Sequence, residues 1–95
     1  MFTYEELNKI DRDYFNVLNA GCYSITLQSK NTQHYWHITS REYCNHTFCE
    51  VLHKHNKHDA YHRQLSRGNL AYAIAHIKDH DRFQLSGRKK KATNQ

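Results

Sequence analysis

From Cys22 to Thr39 the chain alternates side chains with a period of two, and no other feature constrains its fold as much. Tyr23, Ile25 and Leu27 fall on one face of a strand, while Ser24, Thr26 and Gln28 fall on the other. The polar run Ser29-Lys30-Asn31-Thr32 reads as a hairpin turn. After it, His34, Trp36 and Ile38 alternate with Tyr35, His37 and Thr39, which predicts a second strand. Residues 40–46 read as an irregular connection. Thr47 to His55, carrying Phe48, Val51 and Leu52, reads as a third strand. A sheet with one apolar face needs a cover.

Helices at the two ends are expected to supply it. Thr3-Tyr4-Glu5-Glu6 has the spacing of a capping box. Leu7, Ile10, Tyr14 and Val17 or Leu18 then recur at helical intervals up to Asn19-Ala20-Gly21. Asp11 or Asp13 offers a second cap, so one helix and two short ones both fit. Asn56 to Gly68 is polar and reads as a long loop, of a length often tied to function. Asn69 to His80 returns to helical spacing, with Leu70, Ala73, Ile74 and Ile77 on one face. The expected fold class is α+β: a two-layer αβββα arrangement, a three-stranded antiparallel meander packed against N- and C-terminal helices. Residues 1–85 form one domain, with Trp36 and Tyr72 in the core and Phe83 and Leu85 packing back onto it. Residues 86–95 form a basic, disordered tail.

Composition narrows the classes of function. With 95 residues and 38% hydrophobic content, the chain suffices for one modest core. Its mean hydropathy is -0.99, and no run approaches the ~20 apolar residues of a spanning helix. The N-terminus carries no apolar run of the signal-peptide kind. Three cysteines, an odd number, argue against a disulfide framework and for a reducing cytoplasm. The net charge of +5 is concentrated in residues 28–67 and in Arg88, Lys89, Lys90 and Lys91. A basic middle and a basic end are the footprint of an anionic partner.

The nine histidines offer three chemistries. For metal binding, Cys44, Cys49, His53 and His58 have loosely zinc-like spacing. On an extended strand, however, Cys49 and His53 stand ~13 Å apart, too far to share an ion. His53 and His55, with His37 from a neighbouring strand, make the other conceivable set. No metal ligand and no cofactor is assigned, and the protein is expected to fold without zinc. For acid–base chemistry on RNA, His34 or His37 would pair with His53, His55 or His58. Lys54, Lys57 or Arg63 would then stabilise the charged transition state. For recognition, His53, Lys54, His55, Lys57, His58, Tyr61, His62 and Arg63 interleave cations with rings in one run, and Arg67 follows. Cations neutralise phosphates and rings stack on unpaired bases. Tyr35 and His37 would extend that platform from the sheet.

The order of elements resembles the double-stranded RNA-binding domain fold and, in compact form, the HicA-type mRNA interferase toxins. The resemblance spans residues 3–78 as a succession of elements. It implies a catalytic histidine at the start of the second strand, where this chain has His34 within Gln33-His34-Tyr35. The Gly-Ser that precedes the toxin histidine is replaced here by Thr32-Gln33. In size and composition the chain is also similar to accessory proteins of phages and mobile elements, including anti-CRISPR inhibitors. The first reading is a small cytoplasmic RNA-binding protein acting through the His/Lys/Arg/Tyr-rich loop and basic tail. An inhibitor binding a protein or nucleoprotein partner is the alternative. A metal-independent ribonuclease of the HicA type, using His34, is the third, and RNA is expected to remain whole.

Overall fold

The computed structural model describes residues 1–87. Its sheet has five strands in the order β1-β2-β3-β4-β5, every neighbouring pair antiparallel. The strands are β1 (Phe15–Ala20), β2 (Ser24–Ser29), β3 (Tyr35–Tyr43), β4 (His46–Lys54) and β5 (His62–Ser66). A short helix α1 (Tyr4–Asn8) precedes them, and α2 (Leu70–Arg82) follows, passing into one π-type turn at Phe83–Gly87. The expected three-stranded αβββα arrangement is therefore corrected to a five-stranded meander.

The two additional strands come from segments with weak or misleading periodicity. The capping box at Thr3 is present, with Thr3 Oγ1 accepting from the Glu6 amide at 3.0 Å and Glu6 Oε1 accepting from the Thr3 amide at 2.9 Å. Yet α1 ends after five residues. Asp11 Oδ1 then accepts from the amides of Asp13 and Tyr14, and this local alternative diverts the backbone from the helix. Phe15 and Val17 face the core as strand residues opposite Ser29 and Leu27. Leu18, placed on the helix face by spacing, instead forms a bulge and points outward.

The expected loop over Asn56–Gly68 contains β5, which pairs with β4 around a bulge at Gln64. Residues 40–46 are no irregular connection either. The β3 and β4 strands run on to a two-residue turn at Cys44-Asn45, both at positive φ, as in a type I′ hairpin.

One face of the sheet is covered. Ile25, Leu27, Trp36, Ile38 and Val51 are fully buried against Leu70, Ala73 and Ile77 of α2, with Phe2 and Ile10 closing the edge. Trp36 lies in the core as expected, and its indole N–H donates to Ser29 Oγ at 3.1 Å. Tyr23, Tyr72, Phe83 and Leu85, expected to pack inward, are exposed. Tyr23 sits before β2 begins, so alternation does not govern it.

The entry to α2 depends on Gly68. Its φ is +82°, and a Cβ there would overlap the Tyr72 ring. Its carbonyl accepts from the Cys49 amide at 2.8 Å, tying the turn to β4. Asn69 then caps the helix, Oδ1 accepting from the Tyr72 amide at 2.9 Å. At the other end, the carboxyl of Asp81 is fully buried and accepts from Tyr14 Oη at 2.6 Å and Thr32 Oγ1 at 3.0 Å. Burial and this bond push the Tyr14 phenol up to about 12. Asp81→Ala leaves both hydroxyls without their acceptor, so it is expected to cost roughly 2–4 kcal/mol in urea unfolding. A loss below about 0.5 kcal/mol would show that the carboxyl does not fix the helix.

Candidate functional site

Alternation across the sheet sends neighbouring residues of the histidine-rich run to opposite sides. On the covered face, Leu27, Trp36, His53 and His62 form one cross-strand row. On the open face, the next row is Asn16, Gln28, Tyr35 and Lys54. The expected single recognition segment is thus divided into two surfaces with different chemistry.

The open surface gathers rings around one ammonium. Lys54 Nζ lies 4.5 Å from the Tyr61 ring centre and 5.3 Å from that of Tyr35. It also donates to the Lys57 carbonyl at 2.7 Å. His37 packs 5.9 Å from Tyr61 and shares a 2.9 Å hydrogen bond between Nδ1 and Thr26 Oγ1. Partial burial, with Tyr35 close by, raises the Tyr61 phenol above its ordinary value. Glu50 bridges Arg41 at 3.1 Å and Arg63 at 3.3 Å, which offsets part of the positive charge. Lys57 and His58 are exposed in the turn between β4 and β5. Arg67 lies apart, 5.5 Å over the Tyr72 ring. Arg88, Lys89, Lys90 and Lys91 lie outside the described residues.

The covered surface ends in a cluster of imidazoles. His53 is only 1% exposed and stacks on Trp36 at 4.1 Å. Its Nε2 is 3.0 Å from His34 Nδ1, and its Nδ1 is 3.4 Å from His62 Nε2. His80 of α2 packs 4.7 Å from the His53 ring and edge-on to Trp36. His55 stacks on His34 at 4.1 Å, nearly parallel. Burial, then the proximity of His80, His34, His55 and His62, pushes His53 down to about 3. Burial likewise lowers His80. His53 is therefore neutral at pH 7.

Of the sequence-based metal sets, neither comes together. Cys44 is exposed in the hairpin turn, Cys49 is buried in β4, and His58 stands in solvent. His37 is on the open face, away from His53. The residue that sequence reasoning missed is His80. Its only signal was the i, i+4 pair His76 and His80 on the helix predicted to cover the sheet.

No family model matches the sequence, no curated protein is a significant match, and no solved structure significantly matches the fold.

The depressed His53 value makes stability depend on acid. The unfolded chain protonates this ring near 6.5 and the folded chain only near 3, so protons favour unfolding. Its contribution is complete above pH 6.5 and is lost as pH falls through that window. In chelator-containing buffer, the unfolding free energy is expected to drop by roughly 1.4 kcal/mol per pH unit below about pH 6. His53→Phe should flatten that dependence. A urea midpoint as steep in the variant as in wild type would contradict the assignment.

Proposed function

We propose that this chain binds single-stranded nucleic acid, RNA by preference, on the open face of its sheet. The observation that carries this reading is the Lys54 ammonium set between the Tyr35 and Tyr61 rings on the uncovered side. Tyrosine and histidine faces stack on unpaired bases whatever their identity, and a neighbouring cation neutralises the backbone phosphate. RNA is the partner of choice because its unpaired loops and ends present splayed bases, and its 2′-hydroxyl can both donate and accept. Hydroxyl and amide groups at Thr26, Gln28 and Thr39 share the face and offer such bonds.

Binding without cleavage is the activity this arrangement supports. His34 belongs to the imidazole cluster on the covered side, not to the face that carries Lys54 and Tyr61. A reducing cytoplasm suits a chain whose cysteines Cys22, Cys44 and Cys49 are all free thiols.

Fluorescence anisotropy with a labelled 16-nucleotide unstructured RNA tests the proposal. Affinity should fall linearly on a log–log salt plot, and Lys54→Ala with Lys57→Ala should flatten the slope by roughly 1.4. Tyr61→Ala should weaken binding roughly 10- to 100-fold through lost stacking. Unchanged affinity in Tyr61→Ala would overturn it, as would the absence of salt-dependent binding. A protein partner retained equally at low and high salt would favour the inhibitor reading instead.

A further inference from the structure

The geometry points to a site for a zinc-type divalent transition-metal ion formed by His34, His53 and His80. It stands on the covered side of the sheet and does not depend on the nucleic-acid reading. One ligand nitrogen from each of these rings lies within 4.8 Å of those from the other two. A tetrahedral ion bound at about 2.0–2.1 Å sets its nitrogen ligands roughly 3.4 Å apart. His34 Nδ1 and His53 Nε2 are already 3.0 Å apart, close to the spacing that two ligands of one ion require. Rotamer adjustments of His80 on the half-buried side of α2 complete the set.

Three further observations support ligation over ordinary packing. First, the partner of His53 Nδ1 is His62 Nε2 at 3.4 Å. In the tautomer that carries its hydrogen on Nδ1, His53 turns the Nε2 lone pair toward His34 and has His62 as the supporting partner that metal-bound histidines commonly take. Second, His80 Nδ1 is buried without a hydrogen-bond partner among the described residues. Protein contacts alone therefore leave this end of α2 with uncompensated polar burial. Third, Trp36 packs flat against His53 and edge-on to His80, forming an apolar floor that limits water on one side.

The donor set selects the ion. Three imidazole nitrogens and no carboxylate in the set suit zinc, cobalt, nickel or copper and disfavour magnesium or calcium. Of the two acids that flank His80 in sequence, Asp81 is committed to Tyr14 and Thr32, and Asp79 pairs with Arg82 at 2.7 Å. Three protein nitrogens leave a fourth position for water or an added ligand, as in metal sites that exchange ligands. The apolar core under α2 is formed without the ion. Metal removal should therefore lower stability while leaving the helix and sheet in place.

The test uses the full chain stripped with chelator, titrated with zinc chloride by calorimetry and with cobalt chloride by visible absorption. One equivalent should bind, and cobalt should give the intense d–d bands of a four-coordinate nitrogen site. His62→Ala, which removes the support of His53, should weaken zinc roughly 10- to 100-fold. His34→Ala and His80→Ala should weaken it further, and His58→Ala, an exposed control, should not. Circular dichroism establishes that each variant is folded, and His80→Gln replaces any His80→Ala chain that is not. Sub-stoichiometric binding in wild type would overturn the site. So would wild-type affinity in folded His34 and His80 variants, or a cobalt–thiolate charge-transfer band, which would assign the ion to cysteine.

Discussion

The structure turns on the buried carboxyl of Asp81. Burying such a group is costly unless its oxygens are satisfied, and here two hydroxyls from separate elements do so. Tyr14 stands just before β1, and Thr32 lies in the turn between β2 and β3, so one side chain ties the end of α2 to two parts of the sheet. The same corner carries Lys78, whose Nζ is 3.5 Å from Asp11 Oδ2 and 4.9 Å from the Tyr14 ring. With Ile77 and Asp81 both turned inward four residues apart, the rotation of the helix is set. His80, one position earlier than Asp81, is thereby delivered beside His53 and Trp36.

The pleat of β4 divides the chemistry. His53 and Lys54 are adjacent in sequence, yet one joins a buried cluster of imidazoles and the other an open platform of rings and cations. The second surface is half-buried and uncovered by any helix, so solvent and salt reach its charges. The first is screened by Trp36 and α2, where burial pushes His53 and His80 toward the neutral form. The sheet thus keeps the two surfaces chemically separate.

Where a period was strong, the sequence could be read directly. Ile25, Leu27, Trp36 and Ile38 showed their parity, and Leu70, Ala73 and Ile77 showed theirs, whereas Phe48, Val51 and Leu52 marked a strand without showing which of them faces the core. The segment from Ile10 to Leu18 satisfied a helical period as well as a strand period, and the turn around Asp11 decided between them. In β5, His-Arg-Gln-Leu-Ser contains a single apolar residue at a sheet edge interrupted by a bulge, so no alternation was there to see. The site followed the same logic. The shared face of His34 and Trp36 was legible from spacing. The arrival of His80 was not, because it depends on how α2 is rotated on the sheet, which the distant partners Tyr14 and Thr32 determine.

Crystals of zinc-loaded protein, measured on both sides of the zinc absorption edge, test this arrangement most directly. The Asp81-anchored helix predicts one anomalous peak about 2.0–2.1 Å from a ring nitrogen of each of His34, His53 and His80. A peak confined to exposed residues such as His46 or His58, or zinc bound by His34 and His53 with His80 turned away, would contradict it.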